Sequence, residues 1–244
     1  MTNINKLIQD LTLKEKISLM SGFNSWYTNK IERLGVPSIK MSDGPNGVRG
    51  DSTSGKSSAC FPCAISIGST WDIDLINQLG VALGEEAKVK DVDVLLGPTI
   101  NIHRHPLGGR HFESFSEDPF LTGKIATEYV KGVQSQNVAA CLKHFIGNDT
   151  EYERHLVSSN IDEKTLREIY LLPFEMGVKE GNAQVVMSAY NKLNNIYCSS
   201  HKELLIDILK DEWGFDGYVV SDWGAALETE ENARGGLDLE MPGP

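Results

Sequence analysis

Short apolar runs of strand length recur along the chain, and segments with helical spacing of apolar residues lie between them. Runs rich in β-branched and aliphatic residues are typical of buried strands, and strands that alternate with helices predict βαβ units with a parallel sheet. We predict seven strands, at residues 36–42, 64–70, 91–101, 138–145, 183–191, 216–223 and 237–243.

Three intervening segments carry helix signals. Asp118 and Pro119 have the residue types of an N-cap and a first helical position. The apolar residues that follow them at helical spacing are Leu121, Ile125, Tyr129 and Val133. A second helix, for which we expect a bend at Pro173, is marked by Leu166, Ile169, Tyr170, Phe174 and Gly177. The third is marked by Leu204, Leu205, Ile208 and Leu209.

The chain has 244 residues, of which 40% are hydrophobic and 8% aromatic, and neither a linker nor an internal repeat divides it. A TIM-like (β/α)8 barrel of the α/β class runs to about 250 residues, so we predict one barrel domain over residues 1–244. Residues 49–58 are rich in serine and glycine, and we expect them to form a mobile surface loop.

The net charge of the chain is −11, because 23 basic residues stand against 34 acidic ones. A protein of this charge repels polyanions and anionic lipid surfaces, so we expect no nucleic acid and no membrane as partner. No apolar stretch reaches the length of about 18 residues that a membrane span needs, and the first 16 residues do not resemble a signal sequence. We therefore predict a soluble, cytoplasmic protein.

The four cysteines are too few for a disulfide framework in a chain of this length, so we expect reduced thiols. Cys60 and Cys63 have C-x-x-C spacing, and Cys141 with His144 would have to complete a zinc site. The sequence lacks a second closely spaced pair, and Cys141 lies in an apolar run where a free thiol packs well. We expect neither a metal nor a cofactor.

Polar and aromatic residues collect at the carboxyl ends of the predicted strands, where barrel enzymes place their chemistry. They are Asp43, Lys143, His144, Met187, Tyr190, Asn191, Asp222 and Trp223. Each one alone fits a structural role, such as a helix cap or a core position, but residues with only structural roles would be scattered along the strands. Their common position predicts a pocket.

The residue types of this pocket suit a neutral polyhydroxylated ring. Asp43, Lys143 and His144 offer acceptors and donors for hydroxyl groups, and Arg154 adds further donors. Trp223 offers an aromatic face on which a sugar ring stacks. Because no glycine-rich segment has the spacing of a nucleotide-binding loop, we predict a carbohydrate ligand.

Seven segments also match the motifs of one family in order, at residues 42–49 (SDGPNGVR), 97–119, 143–149 (KHFIGND), 166–175, 186–191 (VMSAYN), 212–223 and 236–243. Through them the sequence resembles glycoside hydrolase family 3, the group of β-glucosidases and related exo-glycosidases. The resemblance implies a hydrolase that removes terminal, non-reducing β-D-glucosyl or related residues from a β-glucoside or oligosaccharide.

The resemblance also implies a role for each site residue. Asp222 is expected to be the catalytic nucleophile, which forms a covalent glycosyl-enzyme with net retention at the anomeric carbon. Nearby cations are expected to keep its carboxylate ionised. The subsite for the terminal sugar is expected to consist of Asp43, Arg110, Lys143, His144, Arg154, Met187, Tyr190 and Trp223.

Two departures from the family pattern bear on the interpretation. Asn195 stands where the family has a glycine in a left-handed turn, a conformation that asparagine tolerates. The sequence also ends soon after residues 237–243, whereas two-domain members continue into an α/β domain that supplies the acid/base glutamate. We therefore expect a barrel that is incomplete at its C-terminal end, a general acid outside this chain, and self-association through an uncovered apolar flank.

Two alternatives remain open at this point. The chain fits a non-catalytic sugar-binding remnant that retains the pocket without turnover. It also fits a β-N-acetylhexosaminidase or phosphorylase, because a single-domain branch of the family uses a histidine on the loop after the KHF motif, and His155 lies on that loop. That branch lacks the tryptophan that stands here at position 223.

Overall fold

The computed structural model describes residues 4–50 and 56–243, and within them most strands belong to one parallel sheet. The strands, in chain order, are β1 (Met41–Asp43), β2 (Val94–Leu96), β3 (Ala139–Phe145), β4 (Ser158–Ser159), β5 (Val185–Ser188), β6 (Lys192–Leu193), β7 (Ile196–Tyr197) and β8 (Tyr218–Ser221). The main sheet has the order β1-β2-β3-β5-β8 and is parallel throughout, while β4, β6 and β7 form a small separate sheet. The predicted α/β class with a parallel sheet is confirmed.

The main sheet has five regular strands, and single-residue bridges continue it around a circle. The remaining part of the barrel therefore lacks regular strands. Beyond β8 the sequence of bridges is Val220 to Leu239, Glu240 to Ser21, Gly22 to Thr28, and Tyr27 to Lys40 beside β1. The last two of these bridges are antiparallel. Residues 237–243, predicted as a strand, thus contribute one bridge to each neighbour and no regular ladder.

The helices lie between the strands in sequence. They are α1 (Ile4–Asp10), α2 (Leu13–Leu19), α3 (Ala64–Gly68), α4 (Ile73–Val89), α5 (Pro119–Gln134), α6 (Glu163–Thr165), α7 (Leu172–Lys179) and α8 (Thr229–Gly235). A π-helical segment, Leu166–Leu171, joins α6 to α7, and another covers Glu203–Glu212. Short 3-10 turns occur at Glu32–Leu34, His111–Glu113 and Cys198–Ser200.

The strand predicted at residues 64–70 is wrong, because this segment forms α3. Its buried residues are Ala64, Ile67 and Gly68, which have the spacing of one helix face. A short apolar run does not distinguish a strand from a buried helix by periodicity alone. The predicted start of α5 is confirmed, since the Asp118 side chain accepts a hydrogen bond from the amide of Leu121.

Two buried layers hold the fold together. Alternate residues of the strands point to opposite faces, so Val185 and Met187 pack inside the ring of strands while Val186 packs against the surrounding helices. The outer layer includes Ile125, Tyr129 and Val133 of α5, as the helix pattern predicted, and the residues Leu204, Leu205, Ile208 and Leu209. Burial on both faces explains why the strands carry nearly continuous apolar runs.

Three further sequence-based expectations concern irregular segments. The backbone of Asn195 is left-handed, with φ of 74°, as expected for the position where the family has glycine. Pro173 lies in the first turn of α7, directly after the π-helical segment. Of the loop predicted at residues 49–58, residues 51–55 lie outside the described part of the chain.

Candidate active site

The carboxyl ends of β1, β3, β5 and β8 surround a pocket of about 220 Å³. Its wall contains all nine site residues that the family resemblance implied, together with two that we did not expect. The lining residues are Asp43, Arg110, Lys143, His144, Arg154, Met187, Tyr190, Asp222 and Trp223, with Trp26 and Leu96 in addition. Asp43 and Trp223, 180 positions apart in the chain, therefore meet because parallel strands deliver their ends to one side of the sheet.

Asp222 follows β8 directly and is held by the backbone on one side. Its amide donates to the carbonyl oxygen of Ser188 over 3.1 Å, and its Oδ1 accepts from the amide of Trp223 over 2.8 Å. The other oxygen, Oδ2, is buried and has no hydrogen-bond partner among residues 4–50 and 56–243. One oxygen of this carboxylate is thus fixed by the backbone and the other is not, although the Tyr190 hydroxyl near the carboxyl group also lowers its pKa.

Burial raises the pKa of Asp222 above its usual value, because a charged carboxylate loses its hydration. The positive charges of Lys143 and Arg110 and the Trp223 amide counteract this effect without cancelling it. The expected cations are therefore present, but removal from water has the larger influence on this carboxyl group.

Asp43 and Lys143 form an ion pair across the pocket floor, with Nζ 2.8 Å from Oδ1. The guanidinium of Arg49 approaches the other carboxylate oxygen of Asp43 to 3.4 Å. Burial alone would raise the pKa of Asp43, but the charge and hydrogen bond of Lys143, with the charge of Arg49, hold it below its usual value. Asp43 is therefore a stable anion in the pocket.

Arg110 connects His144 to two glutamates. Its Nε donates to Glu113 and its Nη1 lies 3.7 Å from Glu151, while Nη2 lies 3.2 Å from Nε2 of His144. The same Nε2 atom is 3.6 Å from Oδ2 of Asp222. Burial, together with the charges of Lys143, Arg110 and Arg154, holds the pKa of His144 well below its usual value.

Aromatic rings form the remaining wall. The rings of Trp26 and Trp223 have centroids 5.5 Å apart, and the indole N–H of Trp223 donates to the carbonyl of Ser25 over 2.8 Å. The guanidinium of Arg154 lies 4.3 Å above the ring of Tyr190, whose hydroxyl donates to the carbonyl of Trp223 over 3.0 Å. These contacts hold flat apolar faces in fixed orientations.

Trp26 and Leu96 are the lining residues that sequence reasoning missed. Trp26 lies in no predicted strand and reaches the pocket because its carbonyl accepts from the amide of Met41 over 2.8 Å, beside β1. Leu96 belongs to the predicted strand β2 and looked like an ordinary core position. No local signal separates such residues from the rest of the core.

Asn191 and His155 lie outside the pocket wall. The side-chain amide of Asn191 donates to the carbonyls of Ile146 and Lys192, so this residue has a structural role rather than the expected place in the pocket. His155 is exposed, and its ring packs edge-on against Tyr190 with centroids 4.5 Å apart.

The cysteines form no metal site in the described part of the chain. Cys60 and Cys63 are exposed free thiols, whereas Cys141 and Cys198 are buried free thiols. Within residues 4–50 and 56–243, no group of three or more His, Cys, Asp or Glu side chains is arranged to hold a metal ion. In the same residues, no helix has the length and apolar character needed to cross a membrane.

A family model and the sequences of known proteins match this chain over nearly its whole length. The model of the glycosyl hydrolase family 3 N-terminal domain matches residues 6–237. The chain is 56% identical over 243 residues to a β-glucosidase of Rhizobium radiobacter, covering 99% of this chain and 30% of that protein. It is 50% identical to thermostable β-glucosidase B of Acetivibrio thermocellus, covering 98% of this chain and 33% of the relative.

Two solved structures are similar over nearly the whole chain. The β-glucosidase of Kluyveromyces marxianus in complex with glucose has a TM-score of 0.98 and 48% identity, covering 100% of this chain and 30% of that one. β-Glucosidase 3B of Thermotoga neapolitana in complex with α-D-glucose has a TM-score of 0.95 and 42% identity, covering 99% of this chain and 36% of that one. This chain spans about a third of the length of these relatives. It belongs to glycosyl hydrolase family 3.

Proposed function

We propose that this chain is the nucleophile-bearing part of a retaining β-glucosidase, with Asp222 as the nucleophile. The observation that carries the proposal is the state of its carboxylate: Oδ1 is held by the Trp223 amide, and the buried Oδ2 has no hydrogen bond in the described residues, with Nε2 of His144 3.6 Å away. In the proposed first step, an Oδ2 lone pair forms a bond to the anomeric carbon. The bond from that carbon to the leaving oxygen breaks, and the leaving group takes the electron pair.

Fixing Oδ1 favours this role because it sets the direction from which Oδ2 meets the sugar. A nucleophile held by a rigid strand and a backbone hydrogen bond loses little further freedom on the way to the transition state. The raised pKa of Asp222 is the consequence of its burial, which also leaves the carboxylate poorly hydrated and therefore more reactive. The positive charges of Lys143 and Arg110 lower the pKa of Asp222 and so oppose the effect of its burial.

The other wall residues are proposed to bind the terminal sugar. Asp43 and Lys143 pair with each other and retain acceptor and donor positions for hydroxyl groups. The rings of Trp26 and Trp223 offer apolar surface to a sugar ring face. Glucose is the proposed sugar, since the relatives are named β-glucosidases and two similar structures contain glucose.

The general acid is proposed to lie outside these 244 residues, in a further domain of a longer protein. A retaining hydrolase needs a second carboxyl group at about 5 to 5.5 Å from the nucleophile, able to protonate the leaving oxygen. The other carboxylate on the pocket wall in the described residues, Asp43, is held as an anion by Lys143. It is therefore a poor proton donor. The relatives are longer than this chain, so the proposed proton donor is a carboxyl group in another part of such a protein.

Covalent labelling tests the assignment of Asp222 in this chain without a general acid. A 2-deoxy-2-fluoro-β-glucoside with a dinitrophenolate leaving group needs no protonation of that group, and the fluorine slows hydrolysis of the adduct. We expect intact-protein mass spectrometry to show one added sugar, and peptide mapping to place it on the peptide that contains residues 218–223.

Two variants make the labelling test specific. Asp222→Asn should abolish the adduct, whereas Asp149→Asn, which alters another partly buried aspartate outside this pocket wall, should retain it. An adduct on a different carboxylate would refute the assignment. Glucose binding without any adduct would favour the alternative of a non-catalytic sugar-binding protein.

A further inference from the structure

Asn101 contacts His144 through three hydrogen bonds although it does not line the sugar pocket. The backbone N–H of His144 donates to Oδ1 of Asn101 over 2.9 Å, and Nδ2 of Asn101 donates to the carbonyl oxygen of His144 over 2.9 Å. The ring nitrogen Nδ1 of His144 is 3.1 Å from the same Oδ1. Both residues are buried, with 7% and 2% of their surface exposed, so these bonds do not compete with bulk water.

The backbone contacts determine how the Asn101 amide is oriented. An N–H group requires an acceptor and a carbonyl requires a donor, so Oδ1 must face the His144 amide and Nδ2 must face its carbonyl. Oδ1 has no hydrogen to donate. The close approach of Nδ1 to this oxygen therefore requires the proton of the imidazole to be on Nδ1.

The opposite side of the ring requires the same arrangement independently. Nη2 of Arg110 lies 3.2 Å from Nε2 of His144, and a guanidinium only donates hydrogen bonds. Nε2 must therefore present its lone pair. The charged groups that face this ring are Arg110, Lys143 and Arg154, with Asp222 3.6 Å from Nε2, and the three cations disfavour a second proton.

We propose that Asn101 is a positioning residue that holds His144 in the neutral Nδ1–H tautomer, so that the Nε2 lone pair accepts from Arg110 and holds its guanidinium at the wall of the sugar pocket. The role of the sugar rests on the proposed function, whereas the tautomer does not. Arg110 lies on the same pocket wall, and a guanidinium held through Nη2 keeps further N–H groups that can donate to a sugar hydroxyl.

Histidine tautomers are visible by NMR in this chain alone. In protein labelled with 15N at histidine, long-range 1H–15N spectra show which ring nitrogen carries the proton. The signals of His144 are identified among six histidines by their loss in His144→Gln. We expect Nδ1–H in the wild type, and persistence of the neutral ring when the pH is lowered below the usual pKa of about 6.5. An Nε2–H ring or ordinary titration would overturn the proposal.

Two variants of Asn101 test its part. Asn101→Ala removes the acceptor, so Nδ1–H should give way to a mixture with Nε2–H. Asn101→Asp keeps the acceptor and adds a negative charge, so Nδ1–H should persist while the pKa of His144 rises by about one unit or more. The control is Asn148→Ala, because Asn148 is also buried but both of its amide atoms lack partners in the described residues. A wild-type spectrum in Asn101→Ala would refute the role of Asn101.

Glucose binding tests the second half of the proposal. We expect the affinity of Asn101→Ala for glucose to fall about tenfold, as for the loss of one well-placed hydrogen bond, while that of Asn148→Ala stays within about twofold. Equal affinities for wild type and Asn101→Ala would overturn the link between the tautomer and the sugar. If no variant and no wild-type protein binds glucose, the proposed function fails, whereas the spectra still decide the tautomer.

Discussion

Lys143 places its ammonium group 2.8 Å from Oδ1 of Asp43, a residue 100 positions earlier in the chain. The lysine side chain is 5% exposed and the aspartate side chain 27% exposed, so the pair lies at the inner end of the pocket. It joins the carboxyl ends of β1 and β3, which are not neighbours in the sheet. The same two groups therefore contribute to the stability of the barrel and to the chemistry of the site.

Removal of one partner should destabilise the fold at neutral pH. We expect Lys143→Met to lower the free energy of unfolding by about 1–3 kcal/mol, because the partly buried anion of Asp43 loses its buried partner and keeps only the exposed guanidinium of Arg49. The pKa of Asp43 is lowered in the folded wild type, so its contribution is present above the unfolded value and is lost as the pH falls through the folded value. Urea unfolding should therefore show a difference between the proteins that narrows below about pH 4.

The double variant Lys143→Met with Asp43→Asn is the control for this interpretation. It removes both charges, so its loss of stability should be smaller than the sum of the two single losses. Additive losses would show that the pair contributes no interaction energy.

Asp149 should make the free energy of unfolding fall as the pH rises, which is opposite to the effect of Asp43. Burial raises its pKa to about 6, and its Oδ1 has no hydrogen-bond partner in the described residues. The folded protein then binds a proton that the unfolded chain has released, so stability falls as the pH rises from about 4 to 6. Asp149→Asn should remove about 2 kcal/mol of this dependence.

The measurement is urea unfolding at several pH values between 4 and 7, combined with the 13C titration of the Asp149 carboxyl group. A midpoint near 6 and a flatter stability profile in Asp149→Asn are expected. A carboxyl group that titrates below 4 would contradict the prediction.

Lys143 and His144 should not act independently on catalysis. In a longer active protein that contains this chain, Lys143→Ala or His144→Ala should each lower kcat/KM by about two to three orders of magnitude, because buried polar partners are left unpaired. The two residues share one sugar, so the double variant should lose less than the product of the single effects. Lys124→Ala, at an exposed ion pair with Glu180, is the matched control. Near-normal kcat/KM in both single variants would remove these residues from the sugar site.

The tryptophan pair should report sugar binding by fluorescence. Trp26 and Trp223 lie on the pocket wall, whereas Trp71 is 76% exposed and is not part of that wall. Glucose should change the emission of the wild type and of Trp71→Phe, but the change should be reduced in Trp26→Phe. An unaltered response in Trp26→Phe would place the sugar away from this ring.

Copies of the chain should associate through an apolar surface beside α3 and α4. A groove of about 330 Å³ lies there, and Leu75 on its edge is 48% exposed. Apolar surface of this kind commonly marks an interaction site. Sedimentation velocity should show association that increases with concentration and that Leu75→Lys weakens. Leu107→Lys, at an 83% exposed residue elsewhere, should have no effect. A monomer at all concentrations would contradict the expectation.

Local patterns in the sequence determined the elements and the chemistry at their ends. The run before Asp222 is apolar on both faces, so it predicted a buried strand that delivers a carboxylate to the edge of a sheet, and β8 ends one residue before that aspartate. The N-cap at Asp118 was predictable for the same reason, because the information lies in the residue itself and its near neighbours. The left-handed turn at Asn195 was expected from the family resemblance.

The tertiary structure decided whatever depends on residues that are distant in sequence. The run at Ala64 became a helix because its buried positions face α5 and the turn at residues 111–113, an arrangement that its own short pattern does not encode. Trp26 lies at the pocket because its carbonyl accepts from Met41 of β1. Asn101, which follows β2, contacts His144 because β3 is the neighbouring strand in the sheet. The pKa of Asp222 likewise follows from burial by the whole barrel, since removal from water is a property of the packed fold and not of any segment.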